Sequence, residues 1–178
     1  CDEPQSFAYL RDNLRRYKGK LLGANLAGDL DLLETTENIA PDYNQCQVQD
    51  IQIRGPLIWE LHHKYSLEAE AGRCGFQGKD KAELKIAAQS FGYDIKAAGW
   101  EACIPNLPNK YIGRYAEHDV EVLFPVYDFQ QKIIESKGLQ QIVDLEASLV
   151  PVLLRMRQRG VRVDFTQLDL IEKWATEE

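Results

Sequence analysis

Apolar and aromatic residues recur at Phe7, Leu10, Leu14 and Tyr17 with Arg and Asp between them, a spacing that predicts an amphipathic helix over 7–17. KGKLLGAN (18–25) is a short apolar run after a glycine turn and predicts a buried strand ending at Asn25. A helix is expected to start over Asp29–Leu33, with Asp29 near the positive end of its dipole. ETTENIAPDYNQCQ (34–47) reads as a loop, and VQDIQI (48–53) alternates as a second strand. PLIWELHHKY (56–65) predicts a helix with Pro56 in its first turn.

Further along, Ser66 reads as an N-cap with Glu70 nearby, and KDKAELKIAAQSFG (79–92) as an amphipathic helix closing at Gly92. Residues 94–109 carry the Gly, Pro and Asn content of a loop. Two long helical blocks follow, 109–138 and 139–160. Each has an internal proline, Pro125 and Pro151, that predicts a kink, and each closes on a glycine. VRVD is extended, and FTQLDLIEKW opens another helix.

Composition places this pattern in an ordinary globular chain: 178 residues, 44% hydrophobic and 28% charged. No 18-residue apolar run and no signal-like opening occur, so no membrane partner and a cytoplasmic location are expected. The four cysteines lack CxxC spacing, which argues against zinc and for a reducing compartment. A net charge of −7 argues against coating of duplex nucleic acid as the main task. It leaves room for an enzyme that grips a nucleic-acid end through metal ions. The chain opens at Cys1 without Met and stops within a predicted helix, as a piece excised from a longer protein would.

Two short motifs carry candidate chemistry. NLAGD (25–29) puts Asn at a strand end and Asp at a helix start, either to cap that helix or to hold a divalent cation by oxygen. In YAEHD (115–119), Tyr115 and Asp119 are four apart, hence one turn and about 6 Å apart on a helix. They read either as a packed aromatic beside a solvated acid or as a water-orienting phenol beside a metal-binding carboxylate. His118 lies about 100° round the helix from Asp119, toward solvent or a neighbouring element.

The order of these motifs resembles the proofreading 3′-5′ exonuclease domain of phage-type family A DNA polymerases, the tyrosine-type DEDD branch of the RNase H-like superfamily. NLAGD would be its second motif and YAEHD its third. LEASLVPVLLRMRQRGVRVD (145–164) is similar to the junction from that domain into the polymerase thumb, and YSLEAEAGRCGFQGKDKAEL (65–84) and PNKYIGRYAEHDVEV (108–122) extend the resemblance over most of the chain. It implies an α/β, RNase H-like fold truncated at the N-terminus and therefore helix-rich with few strands. Residues 1–138 would be the exonuclease-like unit lacking its first strands, and 139–178 a helical junction.

The function implied is that of part of a DNA-dependent DNA polymerase, removing 3′-terminal nucleotides from single-stranded DNA by two-metal phosphodiester hydrolysis with Mg2+ or Mn2+. By motif, Asp29 and Asp119 would ligate metal, Tyr115 would orient the attacking water, and Asn25 and Arg114 would contact substrate. Arg155, Arg157, Arg159 and Arg162 form a basic run that would meet phosphates or stand as a solvated face. Two departures stand out. Gly28 occupies the place of the family's aromatic residue, and the D-x-E first motif is expected upstream of Cys1. The partners expected are therefore an N-terminal segment and a polymerase domain, with little nuclease activity in these 178 residues alone. The alternative is a degenerate, non-catalytic exonuclease-like module that binds DNA or serves as structure; a stand-alone ribonuclease fits the junction poorly.

Overall fold

A computed structural model describes residues 3–76, 82–93 and 101–177. After helix α1 (Glu3–Arg16), strands β1 (Gly19–Gly23) and β2 (Cys46–Asp50) pair in parallel, Leu21 opposite Val48 and Leu22 opposite Gln49. Parallel neighbours require a crossover, here supplied by α2 (Leu26–Glu37). The rest of the chain is helical: α3 (Ile51–Ile58), α4 (Leu67–Arg73), α5 (Ala82–Ser90), a 3-10 turn over Glu101–Asn106, α6 (Asn109–Lys137), α7 (Gln140–Arg159) and α8 (Phe165–Glu177). Among the described residues this is an α/β arrangement, helix-rich with two strands.

Strand side chains alternate between faces, and each face of this sheet meets its own helices. Leu21 and Val48 pack with Leu26 and Leu30 of α2 and Val150 and Leu154 of α7. Leu22 turns the other way, onto Ile51, Leu67, Val122 and Val126 from α3, α4 and α6. Side chains as enclosed as Leu30 and Val126 each contribute about 1.5–3 kcal/mol through burial. A separate cluster joins α5 to the start of α6, where Tyr111, Ile112 and Tyr115 lie on Leu84, Ala87, Ala88, Cys103 and Leu107. By contrast, residues 161–176 are exposed throughout, so α8 adds nothing to these cores.

Several boundaries move from their predicted places, each for a local reason. β1 stops at Gly23 because Asn25 adopts a left-handed conformation, φ 63° and ψ 37°, that no strand continues. The predicted loop over 34–47 is helical as far as Glu37, where Asn38 (φ 52°) gives its N–H to the Leu33 carbonyl and ends α2. The second strand lies at 46–50 rather than 48–53. Asp50 caps a helix there, and Ile51, Arg54, Gly55 and Ile58 are buried at helical spacing. The predicted helix over 56–65 ends at Ile58, and the Tyr65 hydroxyl takes up the Trp59 and His62 carbonyls at 2.7 and 2.8 Å.

Other signals fall where the pattern puts them. The Ser66 hydroxyl accepts the Ala69 N–H at 3.3 Å, and Gly138 closes α6 with φ 68°. The helical assignments of α6 and α7 run through Pro125 and Pro151. The predicted loop at 94–109 contains the 3-10 turn. Its 94–100 part lies outside the described residues, as do 79–81 of the predicted 79–92 helix.

Candidate functional site

The corner between β1 and α2 is built by a carboxylate from the neighbouring strand. Asp50, 5% exposed, accepts the Leu26 N–H at 2.7 Å and the Gln52 N–H at 2.8 Å, capping α3 while holding the first residue of α2. The chain turns tightly here: a Cβ on Gly23 would lie 2.9 Å from that of Leu26, so only glycine fits. Asn25 follows in its left-handed conformation, its side chain lying over Gly28, where an added Cβ would come within 3.0 Å of Nδ2. A side chain at position 28 would therefore have to displace the Asn25 amide.

Asp29, in the first turn of α2, projects into a cleft of about 540 Å3. Tyr115, Asp119 and Leu123 line the same cleft from α6, and Glu68 borders it from the first turn of α4. Two motifs some 90 residues apart are thus brought to one cavity, because α6 packs against β1 and α4 while α2 springs from the end of β1. Tyr115 is half-buried, its ring resting on the α5 cluster. Asp29 is held above the ordinary carboxylate pKa by partial withdrawal from water and then by the negative charge of Asp50. Asp50 is itself pushed up by burial, against which four backbone N–H groups, of Gln52, Leu26, Asn25 and Ile53, stabilise its charged form.

The remaining sequence candidates lie elsewhere. Arg114, its side chain 76% exposed, borders a separate groove on the α5 side, 3.8 Å from Glu83. His118 is half-buried and faces the same neighbour, α5. Asn25 stands at the corner above Gly28 and is not among the residues lining the cleft. In the basic run, Arg157 is already paired with Asp31 at 2.8 Å, and Arg155 borders a pocket with Tyr43 and Asp144. Arg159 and Arg162 are exposed.

Sequence reasoning missed Asp50 and Glu68. Asp50 had a signal, an N-cap residue type at the junction of an extended and a helical pattern; for Glu68 the only one was its place two residues after the Ser66 cap.

Oxygen ligands of this kind suit Mg2+ or Mn2+. Among the described residues, however, no three acids, histidines or cysteines come close enough together to hold one metal ion. The carboxylates around this cleft do not by themselves fit a two-ion site, whose charge needs more negative ligands. Elsewhere among the described residues, Cys46, Cys74 and Cys103 are buried. No helix there is long and apolar enough to cross a membrane.

No protein-family profile matches the chain. Over 96% of its length it is 42% identical to a DNA-directed DNA polymerase of Pseudomonas phage M6, of which it spans 24%. It is 30% identical over 92% of its length to DNA polymerase DpoZ of Vibrio phage phiVC8, spanning 27% of that protein. To DNA polymerase DpoZ of Acinetobacter phage SH-Ab 15497 it is 29% identical over 89%, spanning 25%. The chain is therefore similar, almost end to end, to a stretch of phage DNA polymerases that makes up about a quarter of their length.

Proposed function

We propose that this chain is the part of a phage DNA polymerase that carries the second and third motifs of a 3′-5′ proofreading exonuclease, on an RNase H-like scaffold. The observation that carries the reading is that Asp29, Tyr115 and Asp119, drawn from α2 and α6, line one cleft. The polymerase relatives and the junction-like sequence at 145–164 support the setting. In this reading the cleft receives the 3′ end of single-stranded DNA in the bacterial host's cytoplasm. The Tyr115 hydroxyl orients the water that attacks the terminal phosphodiester, and Asp29 and Asp119 supply part of the ligand set for Mg2+ or Mn2+, which would activate that water and offset developing charge. Asn25 sits beside the path of the substrate. The missing ligands come from a D-x-E strand that precedes the second motif, with residues 1–138 as the exonuclease-like unit and 139–178 leading toward the polymerase thumb.

The 178 residues alone are then expected to cut little or not at all. Calorimetric titration with Mn2+ tests this: binding that is weak for the chain alone and restored by adding a segment carrying a D-x-E strand supports the reading. Metal-dependent release of 5′-mononucleotides from single-stranded DNA by the chain alone, lost in Asp119→Ala, would contradict the incomplete site. The second reading, a non-catalytic module that binds DNA or braces the polymerase, is favoured by Gly28, which stands where the resembling family carries an aromatic residue. Failure of Mn2+ to bind even with the added segment would select it.

A further inference from the structure

The cleft does not end at Tyr115. The phenol also borders a smaller cavity of about 200 Å3 shared with Tyr111, Arg114 and His118, and next to this lies a groove of about 500 Å3 between α5 and the first turns of α6. Tyr111 and Arg114 line both of these cavities, so the three lie side by side along α6.

The groove differs in chemistry from the carboxylate cleft. Lys110 and Arg114, both exposed and four residues apart, stand one helical turn from each other, close to the spacing of neighbouring phosphates on a single strand. Tyr111 lies between them. The Lys110 ammonium sits 4.7 Å from its ring centroid, and Phe91, 52% exposed, meets it edge-on at 6.4 Å. Ile86, 65% exposed, adds an apolar wall, and Ser90 stands at the end of α5. The acid on this rim, Glu83, is only 3.8 Å from Arg114 across open solvent. Such a pair contributes little, and the guanidinium can turn to a phosphate.

We propose that this groove is the track for the single strand upstream of its 3′ end: Lys110 and Arg114 take two successive phosphates, and a base lies against Tyr111 and Phe91. Cations interleaved with aromatic faces are what sequence-independent single-strand binding requires, charge for the backbone and a stacking platform for any base. The inference rests on the exonuclease reading for the polarity of the strand, with its 3′ end beside Asp29 and Asp119. It also accounts for the placement of Arg114, outside the carboxylate cleft but on the path leading from it.

The test is fluorescence anisotropy of a labelled 12-residue oligothymidylate with the whole chain in EDTA, between 50 and 200 mM salt. Removing metal makes the measurement independent of any cleavage or metal affinity. The double variant Lys110→Ala/Arg114→Ala is expected to weaken binding and to flatten the dependence of log affinity on log salt by about 1.4, the value for two lost phosphate contacts on single strands. Phe91→Ala and Tyr111→Leu are each expected to cost about fivefold or more and to erase any preference for the thymidylate over an abasic strand. Tyr111 also packs on α5, so the exposed Phe91 provides the decisive aromatic variant. If the wild-type chain binds the strand while these variants match it in affinity and salt slope, the track is refuted and the cleft reading survives. If the wild-type chain does not bind the strand at all, the track falls too. Failure of Mn2+ to bind even with the added D-x-E segment, together with positive anisotropy, would refute the catalytic reading alone.

Discussion

The backbone N–H of Leu26 is held by the carboxylate of Asp50 at 2.7 Å, across the end of the two-stranded sheet. That one bond fixes where α2 begins relative to β2, and hence where Asp29, three residues into the helix, points. Asp50→Ala would leave the buried Leu26 and Gln52 N–H groups without this acceptor and is expected to cost about 2–4 kcal/mol. Urea denaturation followed by circular dichroism checks it, and a loss below 1 kcal/mol would show that the corner holds itself by other means.

Asp50 also acts on Asp29 through its charge; Asp50→Asn removes that charge, and with it one of the two acceptors of the corner, since Oδ2 holds the Leu26 N–H and Oδ1 the Gln52 N–H. With the negative charge gone, the Asp29 titration midpoint, followed by carboxyl 13C NMR, is expected to fall. It should remain above the ordinary aspartate value, because withdrawal from water is the larger cause of its elevation. An unchanged midpoint would mean that the two carboxylates do not sense each other.

Asn25 makes no side-chain cap to α2, so its role at the corner is conformational. Asn is among the few residues that occupy the left-handed region with little strain. Asn25→Gly is expected to leave stability within about 0.5 kcal/mol, and Asn25→Val to cost about 1–2 kcal/mol or more, because a β-branched side chain resists φ 63°. Thermal unfolding of the two variants side by side measures the difference, and equal melting temperatures would count against it.

How far this was legible in the sequence depends on the range of the forces involved. Local signals were read correctly: the Ser66 cap, the glycine ends at Gly138 and Gly160, and the continuous helix that sets Tyr115 one turn from Asp119. The second strand was misplaced because VQDIQI alternates, yet Ile51 and Arg54 also fit a helical face. Burial against α6 decides between the two, and that contact lies some 75 residues away in sequence. The long-range polar partners were not legible for the same reason. Nothing near Asp50 announces the Leu26 N–H.

A second long-range polar knot lies behind the site. Glu70, fully buried, accepts hydrogen bonds from Arg73 and from Gln130 Nε2 at 2.8 Å, while Gln130 also reaches the Ile51 carbonyl at 3.1 Å. Burial pushes the Glu70 carboxyl up, more than Arg73 and Gln130 pull it down. A raised folded-state pKa means that the native chain holds this proton where the unfolded chain has lost it. The contribution is therefore complete below the ordinary glutamate value near 4.5 and is lost as pH rises through the folded pKa. Asp29 and Asp50 act with the same sign. Glu70→Gln should flatten the fall in melting temperature above pH 4.5, and an identical pH profile in the variant would show that Glu70 is not its source.

α8 provides the sharpest contrast with these buried contacts. Asp164 caps it, accepting the Thr166 N–H at 3.0 Å, but Phe165, Leu168, Ile171 and Trp174 are between 49 and 74% exposed. A helix of 13 residues with no packed face is marginal in water, since most helical stability in proteins comes from tertiary packing. Removing residues 161–178 is therefore expected to leave the melting temperature of the remaining chain within about 2 °C, because the cores joining α2, α7 and the sheet end at Leu154. It should also lower binding of the apolar dye ANS, by taking away an exposed apolar stripe. A drop of 5 °C or more would mean that α8 folds back onto the body in solution, and the helix would then have to be counted as part of the core.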